Sequence, residues 1–406
     1  MSDARFRHFE VTLKSCIERP AQDRTALSQT LGVLVESQPD LLRVRRGISR
    51  YEWRRLPHLP ATCSASPARI DARTIFDIVW TTFDERYAFF AERGVDWSEQ
   101  RRIVAATLPD GADDNELFAA LSRLLAPLRD QHARLRAGER QFVSGRPAMS
   151  VVEPDGLAPR HAQLVPALRR FLQGGTVVTA LRSIANEQLW WGRIGPDVGY
   201  IALPSLWDFT AQADTDQDRE SAAAEAAMDD VLAALRDVRG IVLDLRVNSG
   251  GSDAVGLAIA GRFADRERLA FTKQAVERRA RTAPYPVHVQ PSLRERFDKP
   301  VVVLTGPLTA SAAEVMVLGL RVLPRVTVLG RTTLGVFSDT LYRRLPNGWE
   351  FTLSNEIYRA PDGALFEGVG IPPQQDSAAP VSPRTLDERF GIDIRAARDL
   401  VLQQAK

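Results

Sequence analysis

Two stretches of the chain decide its fold: Gly240-Ile-Val-Leu-Asp-Leu-Arg-Val-Asn-Ser-Gly250-Gly251 and Val301-Val-Val-Leu-Thr-Gly-Pro-Leu-Thr-Ala-Ser311. Each begins with an apolar run of the kind found in strands that are buried on both faces. Each then passes through small and polar residues into a helical pattern, which starts near Asp253 in the first stretch and near Ala310 in the second. Strands that alternate with helices predict an α/β domain with a mostly parallel sheet.

Other patterns add to this predicted core. Apolar runs at Val198–Ala202 and Val326–Leu329 predict further strands of the same sheet. The segments Thr340–Leu345 and Trp349–Leu353 flank the turn Pro346-Asn-Gly348 and predict a β-hairpin.

The whole chain divides into five predicted segments. A small β-rich segment over residues 1–66 comes first, and a helical domain over 67–137 follows it. A weakly patterned connecting region takes residues 138–195. The α/β core takes 196–380, and a helix closes the chain over 381–406.

Composition limits the function. The 406 residues contain 53 Lys and Arg against 51 Asp and Glu, and a net charge of +2 gives no large field for binding nucleic acid. No stretch of 18 apolar residues exists, so we predict no membrane span. Residues 1–19 lack a continuous apolar region and predict no signal peptide. The expected location is the cytoplasm for the chain as written, and outside it if a leader was removed.

Cys16 and Cys63 are the two cysteines of the chain. Two thiols alone cannot form a structural zinc site, and the five histidines show no ligand spacing. We therefore predict neither a metal nor a cofactor. A disulfide between the two cysteines stays open, because spacing does not decide pairing.

Ser311 is a candidate nucleophile because it stands where a buried strand turns into a helix. Free N–H groups and the helix dipole favour negative charge there, which suits a serine whose attack creates an oxyanion. The alternative is an ordinary helix-capping serine, and Thr309 competes for the capping role. Gly250 and Gly251 allow the backbone to approach a ligand closely, so their N–H groups are candidate oxyanion donors. The alternative for these glycines is a plain strand-to-helix turn. Asp244 and Arg246, just before them, are expected to form a buried ion pair.

Two more residues lie in stretches that stand out. His132, in Leu128-Arg-Asp-Gln-His132, ends the helical segment, although a lone histidine is more often structural than catalytic. Glu367 lies among apolar residues and glycines, in a stretch that otherwise suggests an exposed loop charge.

Together these stretches resemble the carboxy-terminal processing peptidases, also called tail-specific proteases, and within them the branch of the tricorn core protease and interphotoreceptor retinoid-binding protein. The resemblance runs from about Asp71 to Pro373 and rests on the order of the motifs. They are Leu128–His132, Gly199-Tyr-Ile201, Asp244–Gly251, Thr309-Ala-Ser-Ala-Ala-Glu314, Leu345-Pro-Asn-Gly-Trp349 and Glu367-Gly-Val-Gly-Ile371-Pro.

The resemblance implies a serine peptidase with a crotonase-like or Clp-protease-like core. It implies Ser311 as nucleophile, His132 as base and Glu367 as the acid that orients the histidine. The oxyanion donors would be Gly250 or Gly251 and the N–H of Ala312. A carboxylate partner is expected to raise the pKa of the histidine.

The chain departs from the family pattern in four places. Many relatives use a Ser–Lys pair, but the only lysine after Ser311 is Lys406, so the base must be His132. Gln131 stands where the tricorn pattern has a serine, and Gln374 stands where common relatives have an acid. Residues 138–195 are too few for a peptide-gripping PDZ domain, so none is predicted.

Three functions fit the scaffold. The first is a serine peptidase that acts on unfolded or carboxy-terminal peptide segments. The second is a non-catalytic protein that binds an apolar ligand or a peptide. The third is an enzyme of acyl-coenzyme A chemistry, which would leave Ser311, His132 and Glu367 unused.

Overall fold

A computed structural model describes residues 6–22, 33–63, 70–145, 161–210, 216–376 and 385–406. The strands are β1 Phe6–Val11, β2 Cys16–Gln22, β3 Val33–Gln38, β4 Leu41–Arg46, β5 Ser49–Arg54, β6 Arg134–Ala137, β7 Arg140–Val143, β8 Thr179–Ile184, β9 Leu189–Ile194, β10 Val198–Ala202, β11 Gly240–Asp244, β12 Arg268–Glu277, β13 Ala280–Arg281, β14 Tyr285–Val289, β15 Val301–Thr305, β16 Val326–Gly330, β17 Thr340–Arg344, β18 Glu350–Ser354, β19 Glu356–Arg359 and β20 Gln375–Asp376. The helices are α1 Ala72–Arg86, α2 Trp97–Ala105, α3 Asp114–Leu125, α4 His161–Gln173, α5 Gln217–Ala234, α6 Asp253–Gly261, α7 Ala312–Arg321 and α8 Leu386–Gln404.

The chain forms two compact units. The first contains residues 1–147, 274–284 and 338–357, and the second contains 148–273, 285–337 and 358–406. Two segments of the predicted core, 274–284 and 338–357, thus belong to the first unit. Backbone pairing explains the second segment, because the predicted hairpin β17–β18 forms and then continues into β6 and β7 as one four-stranded sheet. The first segment is held by the N–H groups of Val276 and Arg279, which donate to the carbonyls of Asn355 and Glu85.

The first unit contains the predicted helical segment, which ends earlier than expected. Asp113 caps α3, and its side chain accepts hydrogen bonds from the N–H groups of Asn115 and Glu116. After α3 the chain forms a short 3-10 turn, Ala126–Leu128, and then enters β6. The last residues of the predicted helical segment are therefore a strand, held by pairing with β18.

The N-terminal part of this unit is β-rich. β3, β4 and β5 form an antiparallel sheet, and β1 pairs antiparallel with β2. The open question about the cysteines is answered, since Cys16 on β2 forms a disulfide with Cys63. This pair was not predictable from spacing, because contact between the two residues depends on how the 3-10 turn Ala61–Cys63 packs against β1 and β2.

The second unit is built on a seven-stranded sheet in the order β20-β16-β15-β11-β10-β9-β8. The pairs from β20 to β10 are parallel, and those from β10 to β8 are antiparallel. All residues of β11 and β15 are buried, which explains their unbroken apolar sequence. The unit is therefore of the mixed α/β class that the sequence predicts.

Helix α8 covers part of this sheet. Phe390, Ile394 and Val401 are buried in one apolar cluster with Tyr200 on β10 and Val302 on β15. On the described residues, no helix is long and apolar enough to cross a membrane.

Candidate active site

The carboxyl ends of β11 and β15 are neighbours at one edge of the sheet. Asp244 pairs with Leu304, and the N–H of Leu245 donates to the Leu304 carbonyl at 2.9 Å. Parallel strands of α/β sheets bind ligands at this edge. Two turns leave it, the glycine turn over residues 245–252 and the serine turn over residues 306–311.

Ser311 lies at the end of the serine turn in an unusual backbone conformation. Its φ is 55° and its ψ is −127°, a region that costs a non-glycine residue about 1–3 kcal/mol. Its carbonyl accepts the N–H groups of Glu314 and Val315 at 2.8 and 3.1 Å. A capping serine ordinarily has an extended backbone, so the capping box that Ser311 forms with Glu314 does not explain its positive φ.

Thr309 was the competing candidate for the helix cap, and it has another role. Its hydroxyl accepts the N–H of Gly306 at 3.0 Å and donates to the carbonyl of Leu245 at 2.8 Å. In addition, the N–H of Ala310 donates to the carbonyl of Asn248 at 3.1 Å. The serine turn is thus fastened to the glycine turn.

Gly250 brings the glycine turn against the nucleophile candidate. Its φ is 111°, and a Cβ on it would lie 2.7 Å from the Cβ of Ser311. Its N–H donates to Oδ1 of Asn248 at 2.8 Å, while Nδ2 of Asn248 donates to the carbonyl of Leu203 at 2.8 Å. The Gly250 N–H therefore already has an acceptor, and its lack of a side chain is what the site requires.

Gly251 retains its backbone donor. It forms a parallel bridge with Leu206 that uses the N–H groups of Leu206 and Ser252, so in the described part of the chain its own N–H stays available to a ligand. Ala312 is the first residue of α7, where an N–H has no partner inside the helix. A Cβ on Gly251 would lie 2.4 Å from the carbonyl carbon of Leu206, so a substitution there would also move the backbone.

Asp244 and Arg246 form the predicted buried pair at 2.6 Å. Arg246 also reaches Asp393 on α8 at 2.9 Å, and the hydroxyl of Tyr200 donates to Asp244 at 2.7 Å. The neighbouring carboxylates raise the pKa of Arg246 against the opposing effect of its burial. These groups tie α8 to the start of the glycine turn, which is a structural role.

Glu367 is buried rather than an exposed loop charge. Its Oε2 accepts the N–H of Phe337 at 2.9 Å, and the next residue, Gly368, donates to the carbonyl of Gly335 at 2.7 Å. A little further on, the side chain of Gln374, which replaces an acid of the family pattern, accepts the N–H of Val328 at 2.8 Å. That glutamine fastens the segment to β16.

Glu314 is a further residue of the site, and the sequence motifs alone did not indicate a role for it. It is completely buried on α7, and its Oε2 accepts the N–H of Ser311 at 3.2 Å. Burial raises its pKa to about 7, although hydrogen bonds to Thr333 and to backbone N–H groups lower it in part. The available signal was the spacing of Ser311 and Glu314, which matches a capping box.

His132 lies in the first unit, in the turn before β6. Its N–H donates to Asp130 at 2.8 Å, and its carbonyl accepts the hydroxyl of Thr352 at 2.6 Å. Burial lowers the pKa of its ring, an effect that Asp130, Asp339 and the backbone of Ser338 oppose only in part. This direction is opposite to the expected rise, because loss of water around the ring outweighs the carboxylates.

The second unit thus brings Ser311, Ala312, Gly250 and Gly251 together, with Glu367 held by the loop that contacts Glu314. Residues 197–377 match peptidase family S41. This part of the chain is a peptidase family S41 domain. The family suggested by the motifs is therefore confirmed, and the domain contains both turns together with Ser311 and Glu367.

Curated relatives of the S41 domain are carboxy-terminal processing proteases. The chain is 27% identical over 184 residues to the carboxy-terminal-processing protease of Bartonella bacilliformis. This match covers 45% of this chain and 39% of the relative. It is 30% identical over 165 residues to the carboxyl-terminal-processing protease of a Picosynechococcus species. This match covers 40% of this chain and 38% of the relative. The chain thus spans about two fifths of the length of these relatives.

Solved structures extend the likeness beyond the S41 domain. A protein of Parabacteroides merdae matches with a TM-score of 0.65 and 25% identity, over 82% of this chain and 98% of that one. Mature CPAF matches with a TM-score of 0.60 and 12% identity, over 82% of this chain and 97% of its own, which is a likeness of fold alone.

Proposed function

We propose that the protein is a serine peptidase that hydrolyses peptide bonds in unfolded or carboxy-terminal segments of polypeptides. The observation that carries this proposal is the strained backbone of Ser311, with Gly250 against it. Strain of this kind at a strand-to-helix turn is typical of serines held out as nucleophiles. The substrate class follows from the relatives, which are named for carboxy-terminal processing.

In this mechanism Ser311 Oγ attacks the carbonyl carbon of the scissile bond. Negative charge then develops on the carbonyl oxygen, and the N–H groups of Gly251 and Ala312 are the donors that we assign to it. Such donors lower the barrier because they are already oriented when the charge appears. We leave Gly250 out of the donor pair because Asn248 takes its N–H.

His132 is the base that we assign to Ser311, and it would later protonate the leaving amine. Glu367 is the acid that we assign to orient its ring and stabilise the imidazolium. The lowered pKa of His132 supports this role, because a neutral imidazole is the form that accepts a proton. The same assignment requires no metal or cofactor.

For the finer fold class, we propose a core of the crotonase and Clp-protease type without a PDZ domain. The parallel strands from β20 to β10, with the two turns at their carboxyl ends, support this proposal. We also propose that a helical region carries His132 and that the core carries Ser311 and Glu367. This division rests on the order of the motifs that the chain shares with the family.

A fluorophosphonate probe tests the proposed nucleophile, because it labels activated serines. We expect labelling of the wild-type protein and none of Ser311→Ala. Ser252→Ala is the matched control, since Ser252 is also the N-cap residue of a helix that follows the neighbouring strand. Equal labelling of wild type and Ser311→Ala would reject the assignment. An unlabelled wild type whose melting temperature rises with an apolar ligand would favour the binding protein instead.

Hydrolysis of an unstructured protein tests the base. Ser311→Ala, His132→Ala and the double variant should be equally inactive, because a nucleophile and its base act as one unit. Glu367→Gln should retain more activity, with a loss of about 100-fold, since the base remains while its orientation suffers. Near wild-type activity in His132→Ala would show that the catalytic groups are wrongly assigned.

A further inference from the structure

The carboxylate of Glu314 accepts four hydrogen bonds. Its Oε2 takes the N–H groups of Ser311 at 3.2 Å and Val336 at 2.8 Å. Its Oε1 takes the N–H of Gly335 at 2.7 Å and the hydroxyl of Thr333 at 2.5 Å. One fully buried side chain therefore joins the serine turn to residues 333–337, which we name the coupling loop.

This arrangement exceeds what a helix cap requires. On α3, Glu116 occupies the same third helical position and accepts the N–H of the capping residue, Asp113, at 2.9 Å. That glutamate is exposed on the first turn of its helix. Three of the four bonds of Glu314 come from outside its own helix, so the common capping role accounts for only one of them.

The coupling loop also contacts the segment that holds Glu367. The N–H of Phe337 donates to Glu367 at 2.9 Å, and a Cβ on Gly335 would lie 2.6 Å from the backbone nitrogen of Gly370. At its other end, the N–H of Leu334 donates to the carbonyl of Thr309 at 2.9 Å. The loop thus lies against both the serine turn and the Glu367 segment.

We propose that Glu314 is a positioning residue that fixes the coupling loop against the serine turn and thereby sets the placement of Glu367 relative to Ser311. This inference rests on the proposed function for its effect on catalysis. The other part of the inference, that the Glu314 carboxylate holds the coupling loop in place, rests on the four hydrogen bonds alone.

The chemistry of the four partners favours an ionised carboxylate. All four are donors, and the hydroxyl of Thr333 already accepts the N–H of Ile371 at 2.7 Å. A protonated Glu314, or a glutamine, would turn a donor of its own toward these donors and lose at least one bond. Because burial raises the pKa of Glu314 to about 7, this protonation occurs near neutral pH.

Within the described part of the chain, the elements that pack around Glu314 carry few ionisable groups. The serine turn and the coupling loop carry none, and in residues 366–371 the one such group is Glu367. Among the elements packed on α7, β16 carries none, and α6 carries Asp253, which accepts the hydroxyl of Tyr358. β14 carries Tyr285 and His288, the latter 3.6 Å from Glu267.

The test compares the dependence of kcat on pH in wild type and three variants, with an unstructured protein as substrate. We expect wild-type kcat to fall as pH drops through about 7, before His132 is protonated, since the pKa of that ring is lowered from 6.5. Glu314→Gln should reduce kcat about 10- to 100-fold at pH 8 with KM within about twofold, and should be flat between pH 8 and 6.5. Glu314→Asp should retain a fall near neutral pH at a reduced rate.

Glu116→Gln is the matched control and should leave both kcat and its pH dependence unchanged. A Glu314→Gln protein with the wild-type pH profile would overturn the proposal, and so would equal effects of Glu314→Gln and Glu116→Gln. If Glu314→Gln does not fold, Glu314→Asp decides the question: wild-type kcat and pH dependence in that variant would reject a positioning role.

Hydrogen exchange separates this inference from the proposed function. The N–H groups of Gly335 and Val336 should exchange at least about tenfold faster in Glu314→Gln than in wild type, while the N–H groups of α3 do not change. A wild type that hydrolyses nothing would reject the proposed function, and the exchange rates would still decide whether Glu314 holds the loop. Unchanged exchange at both residues would reject the inference.

Discussion

The glycine turn and the serine turn leave neighbouring parallel strands at one edge of the sheet, and both end at a serine that precedes a helix. Ser252 has an ordinary extended conformation, with φ −93° and ψ 124°, whereas Ser311 has φ 55° and ψ −127°. In the glycine turn, the positive φ angles fall on Gly250 and Gly251. In the serine turn, the positive φ angle falls on Ser311, which has a side chain.

The same kind of strand-to-helix turn is thus used in two different ways. Glycine adopts positive φ at little cost, so the glycine turn can bring backbone N–H groups close to a ligand. The serine turn accepts strain that a side chain opposes, and this strain places one particular hydroxyl. Position before a helix therefore does not distinguish Ser311 from Ser252, whereas backbone conformation does, and it is this conformation that supports the proposed nucleophile.

The largest expected effect separates the two serines. Ser311→Ala should reduce hydrolysis of an unstructured protein at least about a thousandfold, because the nucleophile is lost. Ser252→Ala should stay within about twofold of wild type, since the Ser252 hydroxyl donates to Gln217 at 3.2 Å and is assigned no chemistry. Initial rates of the two purified, folded variants decide the matter, and a comparable loss in both would remove the distinction between the turns.

The next effect concerns the shape of the glycine turn. Asn248→Ala should lower kcat about 10- to 100-fold, because it removes the acceptor of the Gly250 N–H and the donor to Leu203, and so loosens the neighbouring Gly251. Ser249→Ala changes the adjacent, exposed residue and serves as its control. If both variants keep wild-type kcat, the glycine turn does not depend on Asn248 for its catalytic shape.

The sequence predicted well the two strands that precede the glycine turn and the serine turn, and it predicted some other strands poorly. β11 and β15 form at the start of the two stretches that predicted buried strands, because strands buried on both faces must be continuously apolar. β12 and β14 were not predicted, since their buried residues alternate irregularly with half-buried and polar ones. The sequence also did not show that β17 and β18 pair with β6, because pairing between distant segments is not a local property.

The same limit applies within the site. The spacing of the motifs pointed to Ser311 and Glu367, but the φ angle of Ser311 is imposed by the turns around it. The partners of Glu314 in the coupling loop are about twenty residues away, so the capping pattern alone showed only its bond to Ser311. The lowered pKa of His132 likewise follows from burial, which a local sequence does not give.

A smaller effect concerns stability on the serine side of the comparison. The pKa of Glu314 is raised from 4.5 to about 7, a difference of about 2.5, which corresponds to on the order of 3 kcal/mol. Because the folded pKa is raised, this contribution is fully present below pH 4.5 and is lost as pH rises through about 7. The free energy of unfolding of wild type should thus fall relative to that of Glu314→Gln between pH 5 and 8. Urea unfolding at several pH values measures this difference, and parallel curves for the two proteins would contradict the raised pKa.

The smallest expected effect measures the strain itself. Ser311→Gly and Ser311→Ala both lack the hydroxyl and should both be inactive, so their stabilities compare only the backbone. Because glycine tolerates φ 55° and alanine does not, Ser311→Gly should be the more stable by about 1 kcal/mol. The control pair is Ser252→Gly and Ser252→Ala, for which φ is −93° and glycine should bring no gain. Urea unfolding at pH 8 gives the four free energies. A Ser311→Gly protein no more stable than Ser311→Ala would mean that the serine turn stores no strain at this residue, and the contrast between the two turns would then rest on the hydroxyl alone.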